Sequence, residues 1–427
     1  MLDLQLLHNL AWINPVLIEG DTKLAALTLK NGNFTEKDKK YVLNFHVKIM
    51  KKIIKAHREA QEEGKAEIIT TPYYHPILPL LIDTNSAGRC SPGIILPRHR
   101  FQFPQDASQQ VKKSIVQYRE LFGIVPSGLW PSEQAVSAET VAIMADEGIK
   151  WAVTDENVLS ASLKLRLRAP LGKAADRPQD EIYVTGNASE NLLYPEILYR
   201  PYLVEYEGRT VTMLFRDQFL SDQIGFRYSQ VGDSVGAEDL MRRLQNIRET
   251  LKNKTGPFLI TIALDGENCW EHYSDDSRTF FRKLYSLLES QDGIILTTPS
   301  EFIGKFGVRH SLPELATGSW NGGNLDRWVG TPSKNKTWDY LFKVRNDLVN
   351  FSKDRQAAPE KLKAAWEAMF AAEGSDYAWW LDSMPYERAK DFDDLFRLHL
   401  SNVYLSLDKK PPSYLSKPVL KKPVGEK

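Results

Sequence analysis

Carboxylates and aromatic rings recur in this chain where apolar runs stop. Gly128-Leu129-Trp130-Pro131-Ser132-Glu133 places one carboxylate just after a turn-prone, aromatic-rich run. Upstream, Ile68-Ile69-Thr70-Thr71-Pro72-Tyr73-Tyr74-His75-Pro76 reads as a short buried strand that stops at a Pro and opens into phenol and imidazole groups. Downstream, Phe215-Arg216-Asp217 leads into Leu220-Ser221-Asp222-Gln223-Ile224-Gly225-Phe226. The apolar run 259–264 then empties into Asp265-Gly266-Glu267-Asn268, with Trp270-Glu271-His272 beyond. Carboxylates can attack as nucleophiles, shuttle protons or hold a cation. Flat rings can stack on the apolar faces of sugars, although most are core fillers. In a parallel α/β barrel such strand ends are where the active site forms.

The elements that must carry these groups alternate. Apolar residues recur at helical spacing over 36–62 and Gly64 ends the run. A strand over 67–71 follows, then helices over 111–122 and 137–148, the latter with Ser137 as N-cap. Strands are expected at 150–154, 210–215, 257–264 and 293–297, with a helix over 237–252. That alternation argues for an α/β barrel. After Val308 the pattern changes: 338–351, 360–373 and 391–407 are helical with no strand between them. The expected organisation is a barrel over 1–307, a helical domain over 308–415 and a disordered, Pro- and Lys-rich tail over 416–427.

At 427 residues the chain is long enough for one large core and a second, smaller one. Lys+Arg and Asp+Glu both number 55, so no net field draws it to nucleic acid or an anionic membrane. Two cysteines, Cys90 and Cys269, cannot frame a disulfide scaffold and lack zinc-site spacing. Apolar runs stop short of a membrane span and no leader is visible, which makes cytoplasmic the expected location. Neither a Gly-rich phosphate loop nor a Gly-x-Ser-x-Gly elbow occurs.

Taken together, the quoted blocks resemble glycoside hydrolase family 57, the α-amylase, amylopullulanase and 4-α-glucanotransferase group, from about Leu4 to Leu415. The resemblance implies a (β/α)7-type barrel followed by a C-terminal α-helical domain. It also implies retaining attack on α-glucans such as starch, glycogen or maltodextrin, with no organic cofactor. One departure stands out. The family opens on a first strand with a His-x-His-Gln-Pro-like motif, whereas Leu4–Ile13 resembles a segment well inside the catalytic domain. The first strand is therefore expected to be missing from this chain, weakening both stability and activity.

Retaining hydrolysis uses two carboxyl groups about 5–5.5 Å apart, one attacking the anomeric carbon and one moving protons. By motif, Glu133 matches the family's nucleophile; its bland alternative is an acid capping the helix that starts near Ser137. Gln134 follows it where the family usually has Gly. Asp222, at the family's Asp-to-Phe spacing before Phe226, is preferred as acid/base over Asp217, which suits pairing with Arg216 or a sugar hydroxyl. Either could instead cap a loop. Asp265, Glu267 and Trp270 suit sugar hydroxyls or support of the catalytic pair better than calcium, since the spacing of an EF-hand loop is absent. His75 and Trp130 are expected at the substrate, with a structural role for His75 equally open.

The Gly-rich stretch 318–330 resembles the family's last signature and presents Trp320 and Trp328. Trp320 is expected at substrate and Trp328 in the packing between domains. Asp376 and Trp379 are expected at the cleft edge. The leading reading is thus an α-glucan hydrolase acting through Glu133 and Asp222, with a 4-α-glucanotransferase beside it. A rival is a carbohydrate-binding fragment whose site is incomplete. A second rival, a hydrolase of mannosides or acetylated polysaccharide, normally needs a metal on His and Asp ligands, and no such set is visible in the sequence.

Overall fold

The computed structural model describes residues 1–30, 32–165, 195–267, 269–353 and 358–420. It divides into two compact units. One comprises Met1–Ile68, Gln218–Thr255 and Ile262–Thr298; the other comprises Ile69–Asp217, Gly256–Thr261 and Pro299–Lys427.

The first unit is built on helices. Leu2–Ala11, Thr22–Lys30 and Glu36–Glu62 close a small core of Leu6, Leu10, Ile13, Leu24, Leu27, Phe34, Val42 and Phe45. The longest helix starts where expected because Thr35 and Asp38 form a capping box, each side chain bonding the other's backbone N–H. The Asp3 carboxylate accepts from the Phe34 amide at 2.9 Å and so ties the first helix to the turn before the long one. In the same unit, helix Asp233–Leu251 packs against Arg278–Glu289, whose buried face is Phe280, Leu284 and Leu288.

The second unit carries a five-stranded sheet. Its strands are β1 (Gly128–Leu129), β2 (Trp151–Asp155), β3 (Tyr202–Tyr206), β4 (Arg209–Arg216) and β5 (His310–Leu312). Their order is β1-β2-β4-β3-β5, parallel except for the β3–β4 pair. β2 is buried along its whole length, as a central parallel strand must be. β3 and β4 form a hairpin whose two loop residues, Glu207 and Gly208, both have positive φ, the backbone that matches strand twist. β1 approaches β2 closely: Gly128 pairs with Trp151, and a Cβ on Gly128 would lie 2.2 Å from the indole. Only glycine fits there.

Three strands expected from apolar runs are not laddered. The segment 67–71 makes one isolated parallel bridge, Thr70 to Leu129, and 257–264 makes one, Thr261 to Arg216. The segment 293–297 makes none among the described residues, and its Ile295 and Leu296 are exposed. Apolar content reports a tendency to be buried; a ladder needs successive backbone bonds, and here Thr70 N–H reaches Gly128 O only at 3.5 Å.

Beyond the sheet lie helices Pro332–Ser352, Pro359–Ala372 and Tyr386–Leu405, with Val344, Leu348, Phe396 and Leu400 fully buried. Arg345 pairs bidentately with Asp106 of helix Pro104–Phe122 at 2.5 and 2.7 Å, with both side chains out of solvent. Residues 416–420 of the end segment are anchored by Asp393, which accepts from the Val419 amide at 3.0 Å; 421–427 lie outside the described residues. Among the described residues no helix is long and apolar enough to cross a membrane.

Candidate active site

Glu133 sits in a short 3-10 turn, Ser132–Gln134, just past the end of β1. The turn is tight and left-handed at two successive residues: φ is 56° at Glu133 and 51° at Gln134. Such backbone costs an L-residue about 1–2 kcal/mol, which is why glycine is at home in the second position. The Gln134 amide is fully buried, and among the described residues neither of its polar atoms has a hydrogen-bond partner. Strain and an unsatisfied polar group in one turn are the marks of a place kept for function rather than stability.

Three contacts hold the turn. Thr154 of β2 donates its hydroxyl to Gln134 O at 2.7 Å. Val136 and Gly318 exchange backbone bonds of 2.9 and 3.0 Å. The Trp320 indole then donates to Glu133 Oε2 at 2.6 Å, while its amide reaches Glu133 O at 3.3 Å.

Around Trp320 stand further groups singled out in the sequence. The Arg216 guanidinium lies 5.8 Å from its ring centre, and the Trp379 ring lies 5.8 Å away and tilted. Arg216 ends β4 and is buried, its Nε donating to Asp155 Oδ2 at 2.7 Å. Burial pushes the Asp155 carboxyl up, against the pull of Arg216. Arg327 covers Trp379 at 4.4 Å, and Trp328 is fully buried with its carbonyl accepting from the Trp338 indole.

Asp217 follows Arg216 but points elsewhere in the chemistry: it is fully buried, and Oδ2 accepts from the Tyr199 phenol at 2.6 Å. His75 has φ 57°, and its Nδ1 lies 2.9 Å from Ser375 Oγ, while the Ser375 amide donates back to His75 O. Ser375 precedes helix Asp376–Trp380, so the strand-end loop and Trp379 share one anchor; Asp376 itself is exposed. Trp130 is half-buried, and its amide donates to Thr70 O at 2.8 Å.

The first unit holds the remaining candidates. Asp222 ends helix Gln218–Asp222 and is half-buried, with a π-helical turn, Gln223–Arg227, directly after it. Such turns recur at functional sites. Two bonds stitch this turn to the Asp265 segment: Ser221 Oγ accepts from Ala263 N–H, and the Tyr273 phenol donates to Ile224 O. Asp265 and Glu267 are exposed, and Trp270 packs against Tyr273 and Phe281 with its indole on Gly266 O; Asn268 lies outside the described residues. No group of three or more His, Cys, Asp or Glu among the described residues is arranged to hold a metal.

The sequence assigned no site role to Asp155, Tyr199 or Ser375. Asp155 could have been found, since it closes the strand 150–154 as the other acids close theirs. Tyr199 and Ser375 carried no such mark.

The profile of glycosyl hydrolase family 57 matches residues 3–313. The chain belongs to this family. Family 57 structures share its fold: a branching enzyme from Thermococcus kodakaraensis superposes with a TM-score of 0.62 at 17% identity, over 90% of this chain and 75% of that one. An α-amylase from Thermotoga maritima gives 0.59 at 14% identity, over 89% of this chain and 75% of that one. A 4-α-glucanotransferase from Thermococcus litoralis gives 0.55 at 16%, over 85% and 52%. These likenesses establish the family's α/β barrel with its helical C-terminal region. In sequence, alpha-amylase 1 of Dictyoglomus thermophilum is 28% identical over 104 residues, 24% of this chain and 12% of that protein's length. The match thus spans about an eighth of the curated relative.

Proposed function

We propose that this family 57 chain acts on α-glucans by a retaining mechanism, with Glu133 as nucleophile and Asp222 as acid/base. The observation that carries the reading is the Glu133 turn. A carboxylate is held in strained backbone at the end of a sheet strand and gripped by the Trp320 indole, whose ring Arg216 and Trp379 flank. A capping acid needs none of this.

In the first half-reaction a Glu133 oxygen bonds to the anomeric carbon as the glycosidic C–O bond breaks, and Asp222 protonates the departing oxygen. In the second, Asp222 takes a proton from water, or from a sugar hydroxyl in transfer, and that oxygen displaces Glu133. Trp130, Trp320 and Trp379 supply flat surface for sugar rings, and His75, Arg216, Asp265, Glu267 and Asp376 supply polar contacts. We also propose 1–307 as the catalytic portion and 308–415 as the helical domain that lends it the Trp320 loop.

The test is direct. Purified chain is incubated with soluble starch, and both reducing ends and chain-length redistribution are followed. Glu133→Gln is assayed alongside and should lose activity by roughly three orders of magnitude or more. Azide should restore turnover in a Glu133→Ala variant and yield a glycosyl azide of inverted configuration. Redistribution without new reducing ends would move the reading to glucan transfer. Full activity of Glu133→Gln would end it.

A further inference from the structure

We infer that Trp320 is a positioning residue for Glu133, its indole N–H holding one carboxylate oxygen and with it the orientation of the group. This rests on the reading of Glu133 as nucleophile.

An indole nitrogen is a donor only, so the 2.6 Å contact from Trp320 Nε1 to Glu133 Oε2 has one polarity. The same loop fixes the backbone beneath: Trp320 N–H lies on Glu133 O, and Gly318 is bridged to Val136 in both directions. Side chain and main chain of the candidate nucleophile are therefore set by one segment. That segment is itself steadied, with Arg216 and Trp379 each 5.8 Å from the Trp320 ring and Arg216 bonded to buried Asp155.

The chemistry makes the bond matter. Attack needs one carboxylate oxygen aimed at the anomeric carbon, and a carboxylate turns freely about its last C–C bond unless something holds it. The bond from the indole to Oε2 sets the rotation of the group; as a carboxylate oxygen bonds to the anomeric carbon, the glycosidic electron pair leaves on oxygen and takes the proton of the general acid. A misplacement of about 1 Å at such a site costs on the order of a hundredfold in rate.

A ring that only stacks on sugar and a ring that also donates part company on one substitution. Trp320→Phe keeps a flat apolar face and deletes the N–H. Positioning requires kcat to fall at least tenfold with KM within about twofold, and the rate at which a cyclitol epoxide labels Glu133 to fall in parallel. Incorporation of 3-benzothienylalanine at 320, which replaces N–H by sulfur at nearly constant shape, should reproduce the loss and covers the case in which the Phe variant folds poorly. A kcat within threefold of the parent in either variant, or a loss confined to KM, overturns the inference. Glu133→Gln is run beside them: if it is inactive while both Trp320 variants keep their kcat, only the positioning role fails. If Glu133→Gln is itself active, the nucleophile reading fails and takes the positioning role with it.

Discussion

The Tyr199 phenol donates to Asp217 Oδ2 at 2.6 Å, and neither side chain is open to solvent. The Asp217 amide is engaged as well, with Thr261 O at 2.8 Å. An acid/base must exchange protons with a leaving oxygen and then with water. Asp217 is built as a fixed internal contact; Asp222, half-buried at the end of its helix, is the more accessible of the two.

Asp222→Asn is accordingly expected to lower kcat on natural glucans by about 10²–10⁴, and far less on substrates whose leaving group needs no proton. Asp217→Asn should instead lower the melting temperature and leave that leaving-group pattern unchanged. Paired assays on maltooligosaccharide and on an activated aryl glycoside check this; a leaving-group dependence in Asp217→Asn reverses the assignment.

Asp155 and Arg216 form a buried ion pair, at 0% and 8% side-chain exposure. Removing one partner strands a charge in low dielectric, at a cost of roughly 3–5 kcal/mol, whereas removing both is much milder. Asp155→Ala should therefore destabilise strongly, and the double variant Asp155→Ala/Arg216→Met should recover much of the loss. Urea midpoints of the two proteins decide; equal losses would show that the charges are not coupled.

Glu373 is buried, and desolvation together with the nearby Asp106 carboxylate raises its carboxyl well above the ordinary range. Its Oε2 accepts from Gln110 at 2.9 Å. The folded chain therefore keeps a proton that the unfolded chain releases, so stability falls as pH rises from the ordinary carboxyl value toward the raised one. Glu373→Gln removes that titration. Its melting temperature relative to the parent should climb between acid and neutral pH, and a constant difference across that range would contradict the assignment.

Gly128→Ala should destabilise by about 1–3 kcal/mol, since the new methyl lands 2.2 Å from Trp151. Trp151→Leu in the same chain should restore part of it. Calorimetry on the single and double variants measures the rescue, and an additive loss would show that the indole is not what excludes the methyl.

Much of this was legible in the sequence. Helix Glu36–Glu62 was readable to the residue because periodicity and Gly64 as stop agreed. The α/β class followed from alternation. What escaped was pairing: apolar runs at 257–264 and 293–297 do not say whether a neighbour exists. The strand Tyr202–Tyr206 was missed although Glu207-Gly208 marks a hairpin turn. At the site, Glu133 and Trp320 were each singled out by motif, yet nothing in either segment shows that indole and carboxylate meet. Tyr199 on Asp217 and Ser375 on His75 were invisible for the same reason, the latter pair being 300 residues apart.

The clamp on Glu133 has a consequence in time. Its indole lies 187 residues downstream, so at a synthesis rate of about 5–20 residues per second roughly 10–40 s pass between the two emerging from the ribosome. Throughout that interval the left-handed pair at Glu133 and Gln134 lacks its contacts to the Trp320 loop, and contacts of such long range form slowly even in the finished chain. A nascent chain halted before Trp320 thus carries the carboxylate without the grip that orients it.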